Sequence, residues 1–338
     1  DEPTASITEK ETIILFRIIK ELKTKGVSII YISHRMAEIF DIADRVTVLK
    51  DGKYQGTHHT ADINVDVIIK MMVGRDLEKQ YYQSHAKPKV SMEVKGFSGP
   101  LFHEISFQLN EGEILALAGL VGAGRTEIAR AIIGADKKYT GELLINGEKV
   151  IISHPADAVK NGIGYLPEHR KEQGLFLDQS VESNISVSNM KAIAANGFIK
   201  PKKASKIAQE YVSLLNIKTP STKQLSVNLS GGNQQKLILA RWLLCQPKVF
   251  IVDEPTHGVD VGAKAEIYNL LKSLAKKGMS ILLISSELPE VLTLSDRILV
   301  LHNGEITAEF KKEDATEEEI MHYASGTKNM FREVTSAM

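Results

Sequence analysis

The chain repeats itself. Asp1-Glu2-Pro3-Thr4 recurs as Asp253-Glu254-Pro255-Thr256, and Tyr31-Ile32-Ser33-His34 lies over Leu283-Ile284-Ser285-Ser286. Asp44-Arg45-Val46-Thr47-Val48-Leu49 lies over Asp296-Arg297-Ile298-Leu299-Val300-Leu301, and Gly52 over Gly304, every pair 252 residues apart without a gap. A constant offset sustained over about 50 residues marks one structural unit used twice. Residues 1–80 are therefore expected to be the C-terminal part of one domain, and residues 253 to about 330 the same part of a second. What precedes Asp253 in the second copy is expected to be missing before residue 1, where the chain begins without Met and inside a motif. The polar stretch Lys79–Lys89, with Tyr81, Tyr82, Ser84 and Pro88, reads as an exposed joint. This sets the expected organisation as 1–80, a linker at 81–89, and a complete domain over 90–338.

Composition narrows the classes. With 338 residues, 43% of them hydrophobic, two ordinary cores are affordable. Lys+Arg and Asp+Glu both count 42, so no excess of positive charge points to nucleic acid. The one cysteine, Cys245, excludes an internal disulfide framework, fits a reducing compartment, and reads as a small buried apolar residue. No apolar run approaches the roughly 18 residues that span a bilayer, and no secretory signal opens the chain.

Strands and helices alternate through the second copy. Alternating Ile105–Leu109 and apolar Glu113–Gly119 predict strands, and Thr126–Gly134 a helix. Gly141–Asn146 is a strand that turns at Asn146-Gly147. Lys202–Leu215, Asn233–Cys245 and Ala263–Lys276 carry helical periodicity. Val249–Asp253 and Ser280–Ser285 are continuous apolar runs, as in a buried parallel sheet. The pattern is that of a parallel α/β core.

Three segments carry chemistry. Gly119-Leu120-Val121-Gly122-Ala123-Gly124-Arg125-Thr126 follows a strand and opens a helix. Glycines there let backbone N–H groups curl around phosphate oxygens, and Thr126 can offer a hydroxyl to Mg²⁺. The residue before it is Arg125 where such loops carry Lys, which keeps the charge but is planar and bulkier. Taken alone, this turn is weak evidence, and tight strand–helix packing without nucleotide is the plain alternative. Lys248–Glu254 is an apolar strand ending in two acids. Asp253 suits Mg²⁺ and Glu254 could polarise a water, although a strand-end acid pair on a solvated loop is the plain alternative. Leu229-Ser230-Gly231-Gly232-Asn233-Gln234-Gln235-Lys236 places Ser230 and glycine N–H groups at a helix start, an anion site.

The last segment resembles the signature of the ATP-binding-cassette ATPases, Leu-Ser-Gly-Gly followed by Gln or Asn. Phosphate loop, signature and Asp-Glu pair stand in that family's order, and the resemblance covers essentially the whole chain. It implies a P-loop NTPase cassette with a parallel-sheet core, an antiparallel β subdomain and a helical subdomain, preceded by the C-terminal part of a second such cassette. It implies ATP and Mg²⁺ as ligands. Two cassettes of this family sandwich two ATP molecules head to tail, each touching the phosphate loop of one cassette and the signature of the other. Carried over residue by residue, the nucleotide-binding positions are Gly119, Gly122, Gly124, Arg125, Thr126, Ser230, Gly231 and Gly232. Glu2, Glu254 and His34 fall on catalytic positions, His34 as the switch histidine at the γ-phosphate. Asp1, Asp253, Thr126 and Glu168 fall on Mg²⁺ positions, Glu168 standing where the family has Gln in the loop facing the membrane subunit. Asp260 matches the loop that communicates between cassettes, with Thr8 as its counterpart.

The second cassette departs from the family at Arg125, Glu168 and Ser286, the last replacing the switch histidine. Losing transition-state contacts costs orders of magnitude in rate. The resemblance therefore implies an asymmetric pair. A competent site would join Asp1, Glu2 and His34 to Ser230–Gly232, and a degenerate one would use Gly119–Thr126, Asp253 and Glu254. Without the first phosphate loop, the chain alone is expected to hydrolyse ATP slowly or not at all.

Tandem cassettes, Asn-Gln-Gln-Lys after the signature, and a degenerate second site resemble bacterial monosaccharide-import ATPases. Met71–Glu78, Ile217–Ser221, Arg241, Gly258–Lys264 and Ser285–Glu290 resemble the ribose importers among them, and the galactose, xylose and autoinducer relatives share most of these residues. The resemblance implies permease subunits as partners, a sugar-binding protein acting indirectly, no nucleic acid, and peripheral attachment at the cytoplasmic face of the cell (inner) membrane. Two other classes stay open. A soluble tandem-cassette translation factor would carry a basic helix between cassettes, which Lys79–Lys89 is not. A non-catalytic regulatory module fits the second cassette in part. A chromosome-maintenance cassette needs long heptads, and none is present.

Overall fold

The computed structural model describes residues 3–4, 9–33, 36–50, 53–65, 67–68, 71, 83–136, 140–195 and 197–331. The chain divides into two compact units, Asp1–Tyr81 with Asp260–Ala265, and Tyr82–Val259 with Glu266–Met338.

In the first unit, helices α1 (Glu9–Thr24) and α2 (Met36–Ile42) precede an antiparallel hairpin of β1 (Arg45–Lys50) and β2 (Lys53–His59). Its core is small: Val46, Val48 and Ile68, flanked by Ile39, Phe40, Ile63 and Met71. Buried Glu38 is held by three donors, Thr4 Oγ1 at 2.6 Å, Tyr31 OH at 2.9 Å and Ser33 Oγ at 3.0 Å. The stretch 27–33 forms no strand, and Ile30 is 92% exposed. A strand needs a hydrogen-bonding neighbour, and the described residues of this unit offer that stretch none.

The second unit is built around continuous apolar runs that the chain can only bury on both faces. β3 (Val90–Gly99) and β4 (Phe102–Asn110) lead into β5 (Ile114–Gly119), then α3 (Arg125–Ile132). β6 (Thr140–Ile145), β7 (Glu148–Val150), α4 (Pro155–Lys160) and β8 (Ile163–Leu166) follow. α5 (Val181–Ser186), α6 (Pro201–Leu214) and α7 (Gly231–Leu244) form a helical segment. Beyond it run β9 (Val249–Asp253), α8 (Val261–Lys276, counted in this unit from Glu266 on), β10 (Ser280–Ser285), α9 (Leu288–Leu294), β11 (Arg297–His302), β12 (Glu305–Lys311) and α10 (Glu317–Ala324).

The main sheet has six strands in the order β12-β11-β5-β10-β9-β8. All neighbours are parallel except β12, which pairs antiparallel with β11. Every residue of β5, β9 and β10 is buried. A four-stranded antiparallel sheet, β4-β3-β6-β7, packs through Val94, Phe97 and Phe107 into the same core as Leu117, Ile128 and Leu299. Its β6–β7 turn puts both Asn146 (φ 51°) and Gly147 (φ 81°) in the left-handed region, as an Asn-Gly hairpin requires. The parallel core, antiparallel subdomain and helical subdomain expected from the sequence are thus all present.

Arg241 of α7 fastens the helical segment. Its Nε donates to Asn184 O at 2.7 Å, Nη1 to Gly174 O at 2.5 Å and Nη2 to Asn184 Oδ1 at 2.6 Å, and it lies over the Phe176 ring. Burial pulls its pKa down to about 10, so it remains a cation.

The repeat is visible element by element. α1, α2, β1 and β2 recur with identical bounds 252 residues on, as α8, α9, β11 and β12. The bulge between Val48 and Leu49 recurs between Val300 and Leu301. The Thr4–Glu38 hydrogen bond recurs as Thr256 Oγ1 to Glu290 Oε1 at 3.0 Å.

Candidate functional site

Parallel strands of such a sheet deliver their C-terminal ends to one edge, where ligands of open α/β sheets bind. Here β5, β9, β10 and β8 end at Gly119, Asp253, Ser285 and Leu166. The loop from Gly119 to Gly124 owes its glycines to two different causes. A Cβ on Gly119 would lie 2.7 Å from Leu301 O, and one on Gly124 (φ 96°) 2.7 Å from Leu101 O, so neither has room. Gly122 (φ 82°) has nothing within 4 Å; only its left-handed backbone calls for glycine.

α3 starts at Arg125, so Thr126 sits in its first turn facing the end of β9. Thr126 Oγ1 donates to Asp253 Oδ1 at 3.2 Å, and Tyr165 OH donates to Asp253 Oδ2 at 3.0 Å. Asp253 is fully buried. Burial pushes its carboxyl up to about 6, against the opposing pull of the Thr126 and Tyr165 hydroxyls. Glu254 takes a left-handed backbone (φ 45°), immediately after the last residue of β9. Its N–H donates to Ile284 O at 2.8 Å, and its Oε1 accepts from the Ser286 N–H at 2.7 Å. Burial raises the Glu254 carboxyl too, with the Ser286 hydrogen bond and Arg125 opposing. The Glu168 charge adds to both upward shifts.

Arg125 is 7% exposed and burial lowers its pKa. Its Nη1 has no hydrogen-bond partner, and Glu254 Oε1 stands 3.7 Å away. A buried guanidinium nitrogen without an acceptor is costly. A phosphate oxygen is the kind of group that would satisfy it, and a Thr hydroxyl beside two carboxylate oxygens suits a hard dication. The residues present therefore fit Mg²⁺-nucleotide.

Gly119, Gly122, Gly124, Arg125, Thr126, Glu168, Asp253 and Glu254 are brought to one place. Ser230, Gly231 and Gly232 instead open α7, beside Arg170 and Gly258. Ser230 is exposed, and its Oγ accepts from Asn233 Nδ2 at 2.9 Å. A Cβ on Gly231 would lie 2.8 Å from Arg170 Nη2 and 2.9 Å from Gly258 O, so glycine permits that approach. Asp260 Oδ1 accepts the Ala263 N–H at 2.9 Å at the head of α8. Asp1, Glu2, Thr8 and His34 lie outside the described residues.

Sequence reasoning missed two participants. Tyr165 sits on β8, two residues before Pro167, and a tyrosine in a short apolar strand needs a partner for its hydroxyl. Arg170 follows Glu168 by two positions, and nothing in its sequence context distinguishes it from a surface arginine.

The family model for ABC transporters matches residues 102–257. The ribose import ATP-binding protein of Streptococcus agalactiae is 46% identical over 329 residues, 97% of this chain and 67% of that protein. The chain belongs to the ABC transporter family. The ribose import ATP-binding protein of Oceanobacillus iheyensis is 49% identical over 331 residues, 96% of this chain and 66% of that protein. A putative ribose/galactose/methyl galactoside import ATP-binding protein of Agrobacterium fabrum is 48% identical over 330 residues. The chain spans about two thirds of the length of these ABC relatives. Among solved ABC structures, a nucleotide-free ATP-binding cassette aligns with TM-score 0.57 at 22% identity, covering 70% of this chain and 95% of that one. A dimeric cassette in a post-hydrolysis state with ADP and Pi aligns with TM-score 0.57 at 21% identity, covering 65% and 98%. They share the cassette fold with this chain.

Proposed function

We propose that this chain is part of the ATP-binding, ATP-hydrolysing subunit that energises import of a monosaccharide, ribose foremost, through a membrane permease. Galactose-type sugars are the second choice, since one relative's name includes them. The observation that carries the proposal is the group around Asp253: Thr126 and Tyr165 on its two oxygens, Arg125 with an unsatisfied nitrogen, and Glu254 fixed to the Ser286 N–H. No helix among the described residues is long and apolar enough to cross a membrane. The attachment proposed is peripheral, at the cytoplasmic face, with the sugar-binding protein meeting the permease rather than this subunit.

Bound MgATP supplies the phosphoryl group and the metal charge that balances it. The protein's part is to hold and orient. Backbone N–H groups of the Gly119–Gly124 loop and the start of α3 would hold the phosphates, and Arg125 would add a fixed positive charge. Thr126, Asp253 and Glu168 would hold the Mg²⁺. Glu254, held by Ser286, orients a water and accepts its proton. Ser286 lacks the imidazole that His34 offers in the repeat, so this site binds nucleotide with little turnover.

Residues 1–80 are proposed to be the C-terminal part of a first cassette, a reading supported by the recurrence of its elements 252 residues on. Asp1, Glu2 and His34 would then work with Ser230–Gly232 in the faster site. The test is sugar-stimulated ATP hydrolysis by the transporter carrying these residues, reconstituted with its permease. Glu2→Gln should abolish turnover and Glu254→Gln should leave most of it. The opposite order would overturn the proposed asymmetry.

A further inference from the structure

Among the described residues, one cluster gathers side chains with metal-binding chemistry and shares only Glu168 with the group around Asp253. One ligand atom each from Glu168, His169 and His257 lies within 4.8 Å of the other two. Glu168 and His169 follow β8, and His257 follows β9, so two adjacent sheet-edge loops supply the set. The imidazole rings stand edge to face, with centroids 6.4 Å apart at 61°. Both histidines are exposed and Glu168 is half-buried, so a solvated ion can reach all three.

We propose that, in the nucleotide-free protein, Glu168 joins His169 and His257 to bind a transition-metal dication of the Zn²⁺ class, an alternative to its place beside Mg²⁺ when nucleotide is bound. Two imidazoles and one carboxylate form a borderline nitrogen-rich set that suits Zn²⁺, Ni²⁺ or Co²⁺ and is wrong for Mg²⁺, which takes oxygen ligands. Three protein ligands leave an open position for water, so the site is an accessible one rather than a closed structural one.

The scaffold is already braced for this. Arg170, next to His169, donates from Nη1 to His257 O at 2.5 Å and from Nη2 to Gly258 O at 3.0 Å. Its Nε reaches Gln234 Oε1 of α7 at 3.4 Å. These bonds hold the two loops together before any ion arrives, so chelation orders only the side chains. His257 is further fixed by its own N–H, which donates to Glu254 O at 3.0 Å. The ion would therefore clamp the loop that follows Glu254 to the loop that carries Glu168. It would also take up the Glu168 carboxylate, whose charge is felt at both Asp253 and Glu254.

The experiment is isothermal titration of the chain with ZnCl₂ in the absence of nucleotide, backed by visible absorption of the Co²⁺-loaded protein. Wild type should bind one ion per chain at this site, and its Co²⁺ spectrum should show nitrogen ligation. His169→Gln and His257→Gln should each weaken that binding roughly tenfold or more, with an unchanged circular-dichroism spectrum. His103→Gln, an exposed histidine elsewhere, should leave it unchanged. Equal Zn²⁺ affinity in wild type and the His169→Gln/His257→Gln double variant would overturn the proposal, as would a Co²⁺ spectrum unaffected by both substitutions. Mg²⁺ competing at equal concentration would also contradict the assigned ion class.

Discussion

Glu290 offers a sharp test of how burial acts around this sheet edge. It is 1% exposed on α9 and accepts from Thr256 Oγ1 through Oε1, and the Ser285 and Thr256 hydroxyls oppose the effect of burial on it. Burial pushes its carboxyl from 4.5 up to about 7. An acid whose folded pKa is raised binds its proton more tightly when folded. Below pH 4.5 both states are protonated and burial of the group costs nothing through ionisation. As pH rises through 4.5 to 7 the unfolded chain ionises first, and stability is lost until the folded carboxyl ionises as well. The gap corresponds to about 3 kcal/mol withheld from the folded state above pH 7. Glu290→Gln keeps an acceptor for Thr256 and removes the charge. The variant should therefore gain about 3 kcal/mol relative to wild type between pH 5 and pH 8. The assay is urea unfolding followed by the single tryptophan, Trp242 in α7, which reports the second unit alone. A difference between the two proteins that stays constant from pH 5 to pH 8 would refute the reasoning.

Three further outcomes follow from the geometry. Arg241→Leu strips acceptors at Gly174 and Asn184 of a buried charged donor, and should cost about 3 kcal/mol in the same urea titration. Gly122→Ala, where there is space, should cost only about 1 kcal/mol for the left-handed backbone. Gly124→Ala, which meets the Leu101 carbonyl as well, should cost about 2–4 kcal/mol, and equal melting temperatures for the two alanine variants would contradict the distinction.

The sheet core was legible because its strands are continuous apolar runs with no rival reading: Val249–Asp253 and Ser280–Ser285 have the bounds the sequence suggested. β8 was not, since four residues containing Gly164 carry too little pattern to separate a strand from a loop. β3 was hidden for another reason. Its pairing slips at three places, with Gly96 in a left-handed conformation, so its alternation breaks. The repeat exposed a further limit. Residues 27–33 match a strand in sequence yet form none, because strand formation depends on neighbours as much as on the segment itself. At the candidate site, motif spacing pointed to Gly119–Thr126, Asp253 and Glu254, which strand ends and short turns bring together. Tyr165 and Arg170 act across the sheet edge on residues 88 positions away, and no local pattern encodes such a partnership. His169 and His257 are likewise 88 positions apart, and only the adjacency of β8 and β9 brings them together.

The central claim is that the second cassette holds Mg²⁺-nucleotide through Arg125, Thr126 and Asp253. The direct measurement is binding of a fluorescent ATP analogue to the chain, with Mg²⁺ and with EDTA, for wild type, Arg125→Ala and Asp253→Asn. The account predicts Mg²⁺-enhanced binding in wild type, roughly tenfold or more weaker with Arg125→Ala from loss of a charge-assisted contact, and loss of the Mg²⁺ enhancement with Asp253→Asn. Equal affinities across all three proteins, with no response to Mg²⁺, would contradict it.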